Sequence, residues 1–191
     1  MKTIGIGGTN GSGKDTVGKM LAERHGWLFV SGSDILRQEL KRRNLPIERK
    51  NLRNLIAKWR RESGTGILVD KALEIFNSKP GFKGLAIASL RNPGEANRIH
   101  ELGGKVIWTD ADPKVRYARI SARVRGDEDK KTYEQFLAEE QTEMQHSGDT
   151  ATLNMVGVKA KADIFLENNG NDIEAFKDEA EKALKNKGIG L

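Results

Sequence analysis

Gly8-Thr9-Asn10-Gly11-Ser12-Gly13-Lys14, followed by Asp15-Thr16, is the stretch on which the fold turns. It has the spacing GxxxxGK of a phosphate-binding loop. Upstream, Thr3-Ile4-Gly5-Ile6 reads as an apolar strand; downstream, Val17, Met20 and Leu21 recur at helical spacing. A glycine-rich turn between strand and helix lets successive backbone N–H groups face a phosphate, and the helix N-terminus adds a favourable dipole. Lys14 would then reach the β- and γ-phosphates as a mobile point charge. Gly8, Asn10, Gly11, Ser12, Gly13, Lys14, Asp15 and Thr16 are therefore the expected contacts of a nucleoside triphosphate.

Outward from the loop, strand-like runs alternate with helical patterns, which argues for an α/β fold with a parallel sheet. Strands are expected at Thr3–Ile6, Trp27–Val30, Gly84–Ala88, Lys105–Trp108 and Asp163–Glu167. Between them, four faces follow the i, i+3, i+4, i+7 rule: Leu52, Leu55, Ile56 and Trp59; Ile67, Leu68, Ala72, Leu73 and Phe76; Tyr133, Phe136, Leu137, Glu140 and Met144; Ile173, Phe176, Ala180 and Leu184. Gly26 and the pair Gly103-Gly104 read as helix stops. The three tryptophans fall in element patterns and read as core. The organisation is one domain over residues 1–191, with a core of 1–33, 79–112 and 151–191. Two charged helical insertions, about 34–78 and about 113–150, are expected to form lobes over a site.

Composition narrows the setting. The chain of 191 residues holds one sizeable core. With no cysteine, disulfides and thiolate metal sites are excluded. No run approaches the roughly 20 apolar residues of a membrane helix, and the early strand leaves no room for a signal peptide, so a cytoplasmic, non-membrane protein is expected. The net charge of +6 suits polyanions, either nucleotides or nucleic acid.

Position 15 departs from the usual loop, where Ser or Thr follows the lysine and its hydroxyl binds Mg²⁺. Two roles are open to Asp15: a hard oxygen ligand for Mg²⁺, or a carboxylate complementing the helix dipole. Thr16 can bond a phosphate oxygen one position deeper. After the second strand, Ser31-Gly32-Ser33-Asp34-Ile35-Leu36-Arg37 resembles the Ser/Thr-Gly-Asp-x-Leu-Arg run of adenylate-kinase-like nucleoside monophosphate kinases, with Ser33 as one extra residue. After the third strand, Ser89-Leu90-Arg91-Asn92-Pro93 approximates the family's second arginine. The Gly13-Lys14-Asp15-Thr16 form of the loop and the Arg91-Asn92-Pro93-Gly94-Glu95-Ala96 run are closer still to phage-type deoxynucleoside monophosphate kinases. An archaeal family of adenylate-kinase-related proteins shares the same plan.

That resemblance implies a P-loop NTPase fold, three layers α/β/α around a five-stranded parallel sheet. It also implies transfer of the γ-phosphoryl group of ATP, with Mg²⁺, to a nucleoside or deoxynucleoside monophosphate by a monomer. Arg37 and Arg91 take the acceptor phosphate, a role that suits a guanidinium fork. Arg116, Arg119 and Arg123 share one helical face at i, i+3, i+7. The resemblance makes Arg119 and Arg123, with Arg125 in reserve, the lid arginines that neutralise the migrating group. Asn168 and Asn169, in the turn after the last strand, are candidates for donor-base contacts, or form a plain turn. The family's aspartate at the end of the third strand is absent, since the chain reads Ile87-Ala88-Ser89. Asp15, Asp34 and the Ser89 hydroxyl are the candidates to replace it at the metal. Glu95 either accepts from an amino group of the acceptor base or supports the first turn of its own helix. His25, His100 and His146 show no ligand spacing. Two other outcomes stay open: a kinase of another small acceptor, such as dephospho-coenzyme A or a phosphorylated isoprenoid precursor, and an adenylate-kinase-like ATPase acting with RNA or ribosomal partners.

Overall fold

The computed structural model describes residues 2–122, 131–144 and 148–191. Its core is a sheet of five parallel strands: β1 (Lys2–Gly8), β2 (Leu28–Ser31), β3 (Gly84–Leu90), β4 (Lys105–Asp110) and β5 (Ile164–Glu167), in the order β2-β3-β1-β4-β5. Buried on both faces, β1 and β3 read as near-continuous apolar runs. The register sets Ile4 beside Ala86 and Lys105, so the carboxyl ends of β1, β3 and β4 come out together. Those ends are where open α/β sheets place ligands.

Helices cover both faces. On one, α1 (Lys14–His25) and α9 (Ile173–Asn186) pack Val17, Met20, Leu21, Phe176, Ala180 and Leu184 against Ile4, Ile6 and Ile107. On the other lie α4 (Ile67–Asn77), α5 (Pro93–Glu101) and the short α8 (Met155–Lys159). They contribute Val69, Ala72, Ala96, Ile99 and Val158 against Leu85, Ile87 and Val106. A third cluster joins α2 (Gly32–Arg42) and α3 (Arg49–Ser63) to α4 through Leu36, Leu40, Leu55, Ile56 and Leu68. Finally, α6 (Pro113–Ser121) and α7 (Tyr133–Met144) follow β4.

The expected strands all form, each within a residue or two of its expected bounds, and Gly26 ends α1. Trp27 and Trp108 are core residues; Trp59 lies at the edge of the third cluster with the Lys71 ammonium over its ring. Two expected faces need correction. In α9, Ile173 is exposed. In α7, Leu137 is exposed while Glu143 is buried, because the helix turns Glu143 and Glu140 toward the sheet's carboxyl edge and leaves Leu137, Glu134 and Glu139 outside. Arg123, Arg125 and His146 lie outside the described residues.

Candidate phosphate-transfer site

The loop connecting β1 to α1 is built by close backbone approach. Gly8 has φ +143°, and a Cβ there would lie 2.2 Å from the Thr109 carbonyl oxygen. Gly13 has φ +100°, and its Cβ would lie 2.6 Å from Asn168 Nδ2 and 2.9 Å from the Phe176 ring. Both positions favour glycine on backbone grounds and on space. The Ser12 side chain is fully buried: its hydroxyl donates to the Thr9 carbonyl at 2.8 Å and shares a 2.7 Å bond with the Thr109 hydroxyl. The Thr9 hydroxyl donates to Asp110 at 2.7 Å, and Asn168 Nδ2 donates to the Ser12 carbonyl at 3.0 Å. Shape is thus imposed on the loop from β4 and from the turn after β5. Gly13 stands at the N-cap of α1, so the amides of the first turn and the dipole point into the loop. Lys14 Nζ donates to the carbonyls of Gly8 at 2.9 Å and Thr9 at 2.6 Å, which holds the ammonium across the loop mouth.

Arginines approach from two sides. From α6, Arg119 donates to the carbonyls of Asn168 (2.9 Å), Gly11 (3.4 Å) and Gly170, and to Asn168 Oδ1 (3.3 Å), clamping the loop to the final turn. Burial lowers its pKa from the ordinary arginine value. Arg116, on the same face, is 2% exposed and is held by the carbonyls of Ala111 and Asn10 and by both oxygens of Glu140. The like-charge repulsion on that face is therefore relieved by a carboxylate from α7.

From the other side, Arg91 follows a distortion at the end of β3. The pairing with β1 slips, Ile6 opposite Ala88 and Gly7 opposite Leu90, so Ser89 is the extra residue, in a left-handed conformation with φ +72°. Such a bulge bends the strand, at a cost of about 1–3 kcal/mol for a residue with a side chain. Just beyond it, Arg91 donates to Asn10 Oδ1 at 2.9 Å and to Glu143 at 2.8 Å. Burial raises the Glu143 carboxyl pKa, but Arg91, Arg49 and Arg53 outweigh it and hold the group below the ordinary value.

Arg37 sits one turn into α2, with Asp34 Oδ1 accepting from it at 2.9 Å. Among the described residues no three His, Asp or Glu side chains cluster to hold a metal. Mg²⁺ at a phosphate site takes only one or two protein oxygens, the rest coming from phosphates and water. Asp15 and Thr16 stand in the first turn of α1, and Asp34 stands in the first turn of α2, where it accepts from Arg37.

Glu95 stands in the first turn of its own helix. It is fully buried, accepts from the backbone N–H groups of Arg91 (2.7 Å) and Asn92 (3.1 Å), and pairs with Arg60 at 2.5 Å. With Asn92 it forms a capping box that starts α5. Supporting that first turn is its role, and the turn carries Arg91.

Arg53, Arg60, Asp110 and Glu143 escaped the sequence reading. Asp110 had a visible signal, a carboxylate ending a strand beside the loop strand, and Glu143 shares the helical face of Phe136 at i+7. Arg53 and Arg60 are two basic residues among many on α3, and nothing local marks them.

A protein-family profile described as an AAA domain matches residues 4–145. A UPF0200 protein of Pyrobaculum aerophilum is 30% identical over 186 residues, covering 96% of this chain and 97% of that protein. Among solved structures, the shikimate kinase of Bacteroides thetaiotaomicron superposes with TM-score 0.62 at 15% identity, over 96% of this chain and 98% of the other. A gluconokinase from Sinorhizobium meliloti 1021 gives TM-score 0.53 at 15% identity, over 97% and 93%. These likenesses establish the α/β P-loop NTPase fold shared with small-molecule kinases; they do not single out the nucleoside monophosphate kinases.

Proposed function

The chain belongs to the UPF0200 proteins and to the AAA domain family, and on that premise we propose that it is an ATP-dependent phosphotransferase acting, with Mg²⁺, on a small phosphorylated acceptor, a nucleoside or deoxynucleoside monophosphate. The observation that carries this reading is the meeting of guanidinium groups from two separate elements on one glycine loop: Arg91 on Asn10, and Arg119 on Gly11. Phosphoryl transfer needs positioning and positive charge more than covalent help. Lys14 and the loop amides hold the donor phosphates. Arg37 and Arg91 orient the acceptor so that its phosphate oxygen attacks Pγ in line as the bond to the ADP oxygen breaks. That oxygen is already ionised, so no general base is required. Arg119, and Arg123 beyond the described residues, neutralise the transferring group. Asp15 and Thr16 would hold Mg²⁺, which supplies further charge neutralisation.

A steady-state screen of acceptors with ATP tests the reading. A monophosphate should accelerate ADP release well above the rate with ATP alone. No acceleration by any monophosphate, with hydrolysis appearing only when RNA or a protein is added, refutes it.

One observation favours that second reading. Residues 34–62 carry ten Lys and Arg against four Asp and Glu, so this segment holds an excess equal to the whole chain's net charge of +6. An ATPase docking on RNA through α2 and α3 would use such a surface, and its affinity would fall steeply with salt.

A further inference from the structure

Glu143 stands out from every other carboxylate on α7. It comes from a helix whose leucine faces solvent, yet it is 8% exposed and meets donors from three other elements. Arg91 Nη1, after β3, reaches it at 2.8 Å; Arg53 Nη2, on α3, at 3.2 Å; Asn10 Nδ2, at the tip of the phosphate loop, at 3.3 Å. Arg91 also donates to Asn10 Oδ1, closing a ring of Asn10, Arg91 and Glu143. Residue for residue, a buried ion pair adds little stability over an apolar pair of the same shape. The stability of α7 alone therefore does not account for a carboxylate in this place. Its neighbour Glu140 has a separate task, since it neutralises a buried arginine.

We propose that Asn10, Arg53 and Arg91 form the subsite for the acceptor's oxyanion, and that the Glu143 carboxylate is an internal stand-in which the acceptor displaces. The inference rests on the reading of Arg91 given above and extends it. The ligand is a phosphate or a carboxylate carried at one end of a small molecule, because the cradle offers two guanidinium forks and one amide and is otherwise filled by a single carboxylate group. With Asn10 in both the phosphate loop and the cradle, displacement of Glu143 brings the acceptor's anion against the loop that holds the donor. The same exchange releases the end of α7 that carries Glu143, while Glu140 stays on Arg116, so that end of the helix docks on the site without acceptor and lets go when it arrives.

The test is a titration of the full chain, with a non-hydrolysable ATP analogue present to fill the loop, using inorganic phosphate in one arm and acetate in the other. Glu143→Gln keeps the shape and removes the competing charge; it should bind phosphate about tenfold more tightly than the unaltered protein or better, as expected when a charged hydrogen-bond competitor is withdrawn. A gain confined to phosphate identifies a phosphorylated acceptor, and one seen with acetate as well identifies a carboxylate-tolerant site. Arg91→Ala in the Glu143→Gln background should erase the gain, and Glu139→Gln, on the exposed side of α7, should not produce one. Glu143→Asp, which withdraws the carboxylate by one methylene with the charge intact, gives a second reading if the glutamine variant folds poorly, with a rise again expected. Unchanged or weaker phosphate binding in both Glu143 variants overturns the proposal, as does a gain that survives Arg91→Ala. Calorimetry with ATP on the same proteins, without the analogue, separates the two ideas: an unaltered protein that binds no ATP refutes the kinase reading, while the ratio between variant and unaltered protein still decides this one.

Discussion

Replacing Glu95 by alanine tests which of its two open roles the buried carboxylate serves. Its carboxylate holds Arg60 at 2.5 Å and two backbone N–H groups at 2.7 and 3.1 Å, with both side chains of the pair 1% exposed or less. The Arg60 guanidinium also donates to the carbonyls of Ala151 and Thr152, so it cannot turn out to solvent without breaking those bonds. Glu95→Ala therefore leaves a buried, uncompensated cation and two orphaned amides. Breaking one side of a buried pair costs about 3–5 kcal/mol, and the amides belong to the same network, so their loss does not add in full. Against a total stability of about 5–15 kcal/mol, urea unfolding should show the midpoint falling steeply at unchanged slope, and the melting temperature should drop on the order of 10 °C. Arg60→Met with Glu95→Leu, which removes both charges together, should recover most of the loss. A loss below about 1 kcal/mol in Glu95→Ala, accompanied by a changed acceptor preference, would refute the structural role and return Glu95 to the acceptor.

Lys14→Ala should abolish triphosphate affinity in calorimetry; retained affinity places the donor site elsewhere. Arg37→Ala should weaken monophosphate capture by about tenfold or more with ATP binding nearly intact, and an equal loss of both would mean that the residue only supports α2. Gly8→Ala, where a Cβ would lie 2.2 Å from a backbone oxygen, should cost about 2–4 kcal/mol in thermal unfolding together with ATP binding; a stable, binding-competent variant would show that the turn is not constrained. The depressed pKa of Glu143 stabilises the docked α7 above the ordinary carboxyl value of 4.5. That contribution is lost as pH falls through the lower folded value. NMR signals of α7 should therefore shift on acidification below about pH 4.5, and the Glu143-dependent part of the shift should be missing in Glu143→Gln.

Legibility followed the length scale of each interaction. The loop, its flanking strand and helix, and the strand alternation all lie within windows of ten or twenty residues, and each was readable from spacing. So was the capping role open to Glu95, since Asn92 and Glu95 are three residues apart. The inner face of α7 was readable only in part: its periodicity set Glu143 with Phe136 at i+7 but Leu137 there as well, and the arginines from α3 and the β3–α5 turn decide that Glu143, not Leu137, faces inward. The absent carboxylate after β3 also looks different in place. Ser89 occupies a left-handed bulge, and a carboxylate from β4, Asp110, braces Thr9 of the loop instead.

By itself, then, the order of residues determined a parallel α/β core with a phosphate-binding turn at the carboxyl end of its first strand, because backbone geometry and hydrophobic period act between near neighbours. Tertiary structure decided which charges meet. Asn10 and Glu143 are 133 positions apart, Arg60 and Glu95 are 35 apart, and no local rule pairs them. Their partnership arises only when the sheet order brings β3, β1 and β4 side by side and burial makes each unpaired charge too costly to leave alone.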